Sequence, residues 1–367
     1  MPDRAQWNVL ITGACGMVGS HMYERLQAEC ASVTGTYTKP TTDLRELPSA
    51  ERLVEMDVRY GQHVAEVIER LRPNVIFHLA AQSYPTVSWE RPQETLETNV
   101  VGTANVFEAV RALRRRSPGY DPVVVVASSS ASYGASLLNS NGPITEDAAL
   151  LPLHPYGVSK AATDLLAFQY WKSDGIRSIR ARIFNCSGPR KKGDVVSDFA
   201  RRIAALPPEG GTLRVGNLRT RRAFLHVADL IEALIGLAQK GAPGEAYNIS
   251  GEEVVEVGAL LPMFEAISGK RATPDVDTSL LRPTDEPVIA GDNTRLRNRT
   301  GWTPLRRVRD IVDDVYADAA WRVASATAAA ATPLPPAIRR AATLGEPRLG
   351  LAIRSLAGQH ADRPSAG

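Results

Sequence analysis

The sequence has few cysteines and no long hydrophobic run. Its 367 residues include three cysteines, Cys15, Cys30 and Cys186, too few and too scattered for a disulfide framework or a zinc cage. We therefore expect no metal site and a reducing, cytoplasmic environment. No apolar run approaches the ~20 residues of a membrane-spanning helix, and the polar start of the chain lacks a signal-peptide core. These features argue against a disulfide-rich secreted protein and against a membrane protein.

An excess of charge of one sign is also missing. Lysine and arginine total 43 and aspartate and glutamate total 40, which leaves a net charge of +3. So balanced a chain has no electrostatic footprint for nucleic acid or an anionic membrane, and we expect neither as a partner. Hydrophobic residues make up 44% and charged residues 23%, which excludes disorder for most of the chain.

Short apolar strands alternate with helical patterns in the first half of the chain. Strands are predicted at 8–12, 31–37, 75–79, 123–127 and 179–184, and helices at 64–72, 98–116 and 156–171, with another beginning at Met17. The strands do not alternate with polar residues, which is typical of a parallel sheet covered by helices on both faces. We therefore predict an α/β fold with a doubly wound parallel sheet.

A glycine-rich turn follows the first predicted strand. Gly13, Gly16 and Gly19 recur every third residue, and the helical pattern begins at Met17 and Val18. Such glycines let the backbone turn tightly and approach a pyrophosphate, while the helix N-terminus supplies free N–H groups. A tight strand–helix turn is the alternative, but the position after the first strand favours dinucleotide binding and a Rossmann-type sheet.

Beyond residue 186 the pattern loosens, and we expect a smaller, mixed C-terminal lobe there. The stretches 187–194 and 206–220 are glycine-rich and basic and are predicted as loops, whereas 308–324 is predicted as a closing helix. At ~150 residues per domain, the length also predicts about two domains. We assign 1–186 to the dinucleotide-binding domain, with 223–250 returning to it, 187–222 and 251–326 to a substrate lobe, and 327–367 to an Ala/Pro-rich tail whose last part, 339–367, is poorly ordered or docked on the surface.

The end of the second predicted strand bears on which nicotinamide cofactor is used. The stretch 36–39 contains no carboxylate, which would hold the ribose 2′-hydroxyl of NAD. Lys39 could meet a 2′-phosphate, so the sequence favours NADP over NAD, with a solvent-exposed loop lysine as the alternative. Asp57 stands where a carboxylate could accept the adenine amino group, or else it caps the next helix.

Two clusters carry candidate catalytic groups. Tyr156 and Lys160 are spaced i and i+4 and so lie on one helix face. A nearby ammonium favours the phenolate, so we expect a lowered pKa for Tyr156, which could exchange a proton with a substrate hydroxyl. Lys160 could also bind the nicotinamide ribose. The serines of 128–132 follow the fourth predicted strand, where a hydroxyl could hydrogen-bond the oxygen of the reacting carbon; a serine-rich turn is the alternative.

Five stretches resemble the extended short-chain dehydrogenase/reductase family that modifies nucleotide sugars. They are 11–13 with its loop, 78–83, 98–103, the serine cluster that ends at Tyr133-Gly134, and 155–160, and the resemblance covers about 8–320. It implies a homodimer, with a tetramer as the alternative, and the catalytic residues Ser129, Tyr156 and Lys160. The implied cofactor contacts are Gly13, Gly16, Met17, Val18, Gly19, Lys39, Asp57, Val58, Leu79, Ala80, Ala81, Ser83, Tyr156 and Lys160.

Three further stretches, 182–190, 215–224 and 281–304, resemble the branch of GDP-mannose 4,6-dehydratase and GDP-4-keto-6-deoxymannose reductase. This similarity implies a GDP-linked sugar as substrate, because guanidinium groups suit its two phosphate charges. A surface charge is the alternative for each arginine. The implied substrate contacts are Ser130, Asn185, Arg190, Arg222, Arg282 and Asp285, of which Asp285 would take ribose hydroxyls.

Two residues depart from the pattern of this branch. Ala131 stands where the dehydratases carry an acid, and alanine cannot transfer a proton. Ala223 stands where an aspartate usually follows the arginine, which loosens how Arg222 is held. We therefore favour a C4 keto reductase or an epimerase, in which Tyr156 passes a proton to or from the C4 oxygen while the nicotinamide exchanges hydride with C4.

Two other functions remain open at this point. One is a GDP-mannose 4,6-dehydratase with a displaced acid, supplied by Glu146 or Asp147. The other is a non-catalytic, NADP-binding sensor. Such proteins tend to lose the tyrosine or the lysine of the catalytic pair, and both are present here.

Overall fold

The computed structural model describes residues 3–280 and 286–331. Two units can be distinguished, residues 1–320 and 321–367. Of the second unit, residues 321–331 are described and are helical.

Strands and helices alternate over much of 3–280 and 286–331. The strands are β1 (Asn8–Thr12), β2 (Ser32–Tyr37), β3 (Leu53–Glu55), β4 (Val75–His78), β5 (Val123–Ser129), β6 (Arg177–Ile183), β7 (Cys186–Ser187), β8 (Gly211–Val215), β9 (Arg221–Ala223), β10 (Leu225–His226), β11 (Ala246–Ile249), β12 (Val254–Glu256), β13 (Ala272–Val276) and β14 (Val288–Ile289). The helices are α1 (Met17–Gln27), α2 (Gly61–Leu71), α3 (Pro85–Glu90), α4 (Pro92–Leu96), α5 (Gly102–Arg116), α6 (Ala135–Leu138), α7 (Pro155–Asp174), α8 (Val195–Ala204), α9 (Val227–Lys240), α10 (Leu260–Ser268), α11 (Thr294–Thr300) and α12 (Val308–Ala331). A π-helical turn, Glu97–Val101, joins α4 to α5.

The main sheet has seven strands in the order β11-β6-β5-β4-β1-β2-β3, and all neighbouring pairs are parallel. Successive strand side chains point to opposite faces, so Val9 and Ile11 join the cluster covered by α1 and α9, whereas Leu10 joins the cluster covered by α2, α5 and α7. The predicted doubly wound, Rossmann-type parallel sheet is confirmed. Because the strand order reverses at β1, a crevice for ligands opens at the carboxyl ends of β1 and β4.

A smaller set of strands lies in the C-terminal half. There β9 pairs antiparallel with β12 and parallel with β14, and β8 pairs parallel with β13, so the pairing is mixed as expected. The prediction of a loop over 206–220 was wrong in part, because Gly211–Val215 forms β8. Leu213 and Val215 are buried there and Arg214 is exposed, which is the alternation of a half-buried strand.

One further boundary differs from the prediction. The closing helix α12 continues to Ala331 rather than ending near 324, since its alanines are strong helix formers. The stretches 281–285 and 332–367 lie outside the described residues. The predictions made for most of the tail, 327–367, fall on these residues. Among the residues described, no helix is both long and apolar enough to cross a bilayer.

Candidate active site

One cleft, of about 770 Å³, contains every predicted site residue that the structure describes. It follows the carboxyl ends of the main-sheet strands and extends to the smaller lobe. The lining includes Gly13, Gly16, Met17, Val18, Gly19, Lys39, Asp57, Val58, Leu79, Ala80, Ala81, Ser83, Ser129, Ser130, Tyr156, Lys160, Asn185, Arg190 and Arg222. The last two predicted substrate contacts, Arg282 and Asp285, lie outside the described residues.

The glycine turn forms a cradle that no larger residue would permit. Gly13 has φ +74°, and a Cβ there would lie 2.8 Å from the Ala80 backbone. A Cβ on Gly19 would overlap the Gly13 carbonyl oxygen. Helix α1 begins after Gly16 without a side-chain cap, so its first N–H groups lie at the cleft. An uncapped helix N-terminus beside a cradle of bare backbone fits the pyrophosphate of a dinucleotide.

Asp57 lies at one end of this cleft and is held by a residue that sequence reasoning missed. Arg59 donates from Nε to Oδ1 at 3.0 Å and from Nη2 to Oδ2 at 2.6 Å. These hydrogen bonds hold the pKa of the Asp57 carboxyl below its usual range, and the charge of Lys39 acts in the same direction. Asp57 is not the cap of α2, because that position is taken by Tyr60. Lys39 and Arg59 thus give this end of the cleft a positive character.

Lys160 is buried on α7 with its Nζ donating to the Ala127 carbonyl at 2.8 Å. Burial penalises the charged form and lowers the pKa of Lys160 to about 8. Ala127 belongs to β5, two residues before Ser129, so the ammonium is tied to the strand that carries the serine cluster. The side chain therefore sits at a fixed point beside the sheet.

Tyr156 is half-buried and hydrogen-bonded to Ser129. Burial raises the pKa of Tyr156, and the hydrogen bond to Ser129 only partly offsets that effect. The prediction of a lowered pKa was therefore wrong. The physical reason is that the phenol loses solvation while the Lys160 ammonium donates to the Ala127 carbonyl. In this state Tyr156 is a protonated phenol, suited to donate a proton.

Helix α7 is held in place by an asparagine in the π-helical turn. Asn99 donates from Nδ2 to Ser159 Oγ at 2.8 Å and to the Gln82 carbonyl at 3.0 Å. Its own carbonyl accepts from Thr163 Oγ1 at 3.1 Å. The stretch 98–103 carried part of the resemblance, but only the three-dimensional contacts reveal that Asn99 joins α7 to the cleft loop.

Neither acid proposed for a displaced dehydration lines the cleft. Glu146 is buried and accepts from the Asn248 N–H at 2.8 Å. Asp147 is paired with Arg295 at 2.9 Å at the surface. Ala131 does line the cleft, beside the serine cluster. The position where the dehydratases carry an acid is therefore without one, and no carboxylate from 146–147 replaces it.

The predicted phosphate-binding residues are already engaged by the protein. Arg190 donates from Nη2 to Glu24 at 2.7 Å, and Arg222 donates from Nη1 to the Glu286 carbonyl at 2.8 Å. Asn185 donates from Nδ2 to the Ile289 carbonyl at 3.3 Å. Arg222 thus has a backbone partner that does not depend on the aspartate replaced by Ala223, and all three side chains remain at the wall of the cleft.

The chain is similar to known nucleotide-sugar enzymes over most of its length. The family model for GDP-mannose 4,6 dehydratase matches residues 10–315. The chain is 28% identical over 313 residues to the GDP-6-deoxy-D-mannose reductase of Pseudomonas aeruginosa, an alignment that covers 84% of this chain and 96% of that protein. It is 26% identical over 336 residues to the GDP-mannose 4,6-dehydratase of Sinorhizobium fredii, covering 82% and 93%. The structure of RMD from Pseudomonas aeruginosa complexed with NADPH matches with a TM-score of 0.71 and 26% identity, covering 86% of this chain and 99% of that chain.

Proposed function

The chain belongs to the GDP-mannose 4,6-dehydratase family, and from this premise we propose that it is a reductase of a GDP-linked 4-keto sugar. It is an NAD(P)-dependent enzyme that modifies a nucleotide sugar by hydride transfer at C4, as its relatives and its confirmed fold indicate. The observation that carries the choice of reductase is Ala131, which lines the cleft where a dehydratase needs an acid.

We propose the following roles for the groups around the reacting carbon. Tyr156 donates its phenolic proton to the C4 oxygen, and Ser129, which is hydrogen-bonded to Tyr156, orients that oxygen. Lys160, fixed by the Ala127 carbonyl, contributes positive charge and contacts the nicotinamide ribose. The reduced nicotinamide, when bound, supplies the hydride.

We further propose that NADP is preferred over NAD. Support comes from Lys39 and Arg59, two cations that line the cleft, and from 36–39, which lacks the carboxylate that would bind the ribose hydroxyls of NAD. A 2′-phosphate carries charge that these cations would neutralise, whereas a ribose 2′-hydroxyl gains little from them.

We propose that the protein forms a homodimer through α7 and the turn before α5. Val101, Val158, Leu165 and Phe168 are apolar but 39–57% exposed on these elements. Two further apolar residues of α5, Val106 and Val110, are buried in the core of the chain itself and are not available to a partner. Sedimentation of the wild type as a dimer and of Leu165→Glu as a monomer would support this arrangement, and a monomeric wild type would refute it.

The experiment that tests the function combines the purified protein with GDP-4-keto-6-deoxymannose and NADPH. A stoichiometric fall in the absorbance of the reduced nicotinamide is expected, at an initial rate about 10²–10⁴-fold lower with Tyr156→Phe. A changed sugar configuration without loss of NADPH would indicate an epimerase instead. Loss of one water from GDP-mannose in a parallel reaction would indicate a dehydratase, and an unchanged nucleotide sugar in both tubes would overturn the proposed substrate.

A further inference from the structure

His154 begins the helix that carries Tyr156. It is the N-cap of α7, and its Nδ1 accepts a hydrogen bond from the Gly157 N–H at 3.1 Å. Because an N–H donates to Nδ1, the imidazole carries its own hydrogen on Nε2. Serine, threonine, asparagine and aspartate are the usual side chains at this position. A smaller residue would therefore satisfy the helix, which suggests that the ring itself has a second task.

The ring of His154 lies parallel to the ring of Tyr156. Their centroids are 6.0 Å apart and their planes differ by 4°, an offset stack. Both side chains line the cleft together with Ser129. The imidazole thus lies parallel to the phenol of Tyr156 and offset from it, and the backbone of the same helix holds the imidazole in one orientation.

Gly157 fixes this arrangement against the serine cluster. A Cβ at Gly157 would lie 2.6 Å from the Ala131 carbonyl oxygen, so the helix start and the turn after Ser129 are in direct backbone contact. The cap on Gly157 therefore places the His154 ring relative to both partners of the Tyr156–Ser129 hydrogen bond.

We propose that His154 is a positioning residue for Tyr156: its capped ring, stacked on the phenol, holds the hydroxyl toward Ser129 and the sugar C4 oxygen. This inference rests on the proposed function, since it needs Tyr156 as proton donor. The stacked ring fixes the plane of the phenol, which then needs no rearrangement when substrate enters, whereas the hydrogen bond from the Gly157 N–H stabilises the start of the helix. A misplacement of about 1 Å in such a group lowers turnover about a hundredfold.

Three variants separate the cap from the ring. His154→Asn keeps a capping oxygen and removes the ring, His154→Phe keeps a ring and removes the cap, and His154→Ala removes both. We expect kcat for keto-sugar reduction to fall about tenfold to a hundredfold in the Asn and Ala variants, with KM for NADPH unchanged within about twofold. The Phe variant should keep kcat within about threefold of wild type and melt at a lower temperature, because it lacks the cap.

The alternatives give different patterns. A wild-type kcat in His154→Asn would overturn the proposal, because His154 would then serve only as the N-cap of α7. Equal losses in the Asn and Phe variants would also overturn it, because the imidazole proton rather than the ring plane would then matter. In a Tyr156→Phe background, His154→Asn should cause no further loss, whereas an additive loss would contradict action through Tyr156.

A spectroscopic readout keeps this test independent of activity. In protein labelled with ¹³C-tyrosine, the Tyr156 ring signal is identified by its disappearance in Tyr156→Phe. One sharp signal is expected in wild type and His154→Phe, and a broadened or split signal in His154→Asn. A sharp signal in His154→Asn would overturn the positioning role, whereas an inactive wild type with the expected spectra would overturn only the proposed substrate.

Discussion

Asp164 and Arg182 form a bidentate ion pair beneath the helix that carries Tyr156 and Lys160. Arg182 donates from Nε to Asp164 Oδ2 at 2.9 Å and from Nη2 to Oδ1 at 3.0 Å, and both side chains are almost fully buried. Asp164 follows Lys160 by one helical turn on α7, whereas Arg182 lies on β6. Arg182 also donates to the Tyr133 hydroxyl at 2.9 Å, at the end of the serine cluster. One ion pair therefore joins the helix, the sheet and the serine turn of the candidate site.

Asp164→Asn should lower the free energy of unfolding by about 3–5 kcal/mol, because it leaves the buried Arg182 charge without its partner. Urea denaturation measures this loss. Asp198→Asn is the matched control, since its carboxylate pairs with Arg201 and Arg202 at the surface and should cost no more than about 1 kcal/mol. Equal costs for the two variants would mean that burial adds nothing to the Asp164 pair.

The Asp164 pair also has a predicted pH dependence. Burial alone would raise the pKa of Asp164, but the hydrogen bonds and charges of Arg182 and Arg180 hold it below its usual value. A depressed folded pKa stabilises the protein above the unfolded pKa of about 3.9 and loses that contribution as the pH falls through the folded pKa. The difference in stability between wild type and Asp164→Asn should thus be constant from about pH 5 to 8 and shrink only below about pH 4.

Lys160 gives a pH dependence of the opposite kind. Its pKa is lowered to about 8 by burial, so below pH 8 the folded protein pays to keep the ammonium charged. Between pH 8 and the ordinary value of about 10.4 the unfolded chain binds more protons than the folded one, and the stability of wild type should rise with pH. In cofactor-free protein, the free energy of unfolding of wild type should therefore rise by about 3 kcal/mol relative to that of Lys160→Met between pH 7 and 10.5. A flat difference would mean that Lys160 titrates normally.

Much of the main sheet is predictable because its strands are buried on both faces. Val123 to Val126 are a β-branched apolar run, which is typical of a central strand, and the glycine turn after β1 has a direct physical reason in its close backbone approaches. By contrast, β8 pairs with β13 alone within 3–280 and 286–331, and its Leu213 and Val215 are separated by the exposed Arg214 in a glycine-rich and basic stretch. Short strands of this kind are stabilised by their partner rather than by their own composition.

The missed parts of the site depend on distances that spacing does not encode. Asp164 and Arg182 are 18 residues apart, and Asn99 meets Ser159 across 60 residues. The sign of the Tyr156 pKa shift depends on solvation and on where the Lys160 hydrogen bond goes, and neither can be read from an i, i+4 spacing. The sequence could therefore predict which residues line the cleft, but not which other residues hold them in place or in what protonation state they are.

Tyr156→Phe should lower kcat for keto-sugar reduction by about 10²–10⁴, because phenylalanine has no proton to donate to the C4 oxygen. Its affinity for NADPH, measured by nicotinamide fluorescence, should remain within a few-fold of wild type. Tyr170→Phe is the matched control on the same helix, since its hydroxyl donates to Glu108 at 2.6 Å, outside the cleft. Full turnover in Tyr156→Phe would remove this residue from the chemistry.

Gly19→Ala should abolish measurable NADPH binding. Its methyl group would overlap the Gly13 carbonyl oxygen, so either the cradle or the first turn of α1 must shift. Gly119→Ala is the control, because nothing lies within 4 Å of the Cβ it would carry. Isothermal titration with NADPH and the melting temperature of each variant separate lost binding from lost folding. Normal affinity in Gly19→Ala would show that the cofactor does not rest on this turn.

Lys39→Ala and Arg59→Ala should each raise KM for NADPH by about tenfold and leave KM for NADH within about twofold. The reason is that a 2′-phosphate makes charge-assisted hydrogen bonds, each of which contributes about 1.5–3 kcal/mol, whereas NADH offers only a neutral hydroxyl at the same atom. Arg59→Ala also removes the two hydrogen bonds that the guanidinium donates to the Asp57 carboxylate. The phosphate then loses a positive partner and faces an unpaired negative charge. Arg45→Ala is the control, because Arg45 pairs with Asp43 outside the cleft. Steady-state kinetics with NADPH and with NADH measure both KM values. A parallel rise of the two values would mean that Arg59 contacts a part of the dinucleotide that both cofactors share.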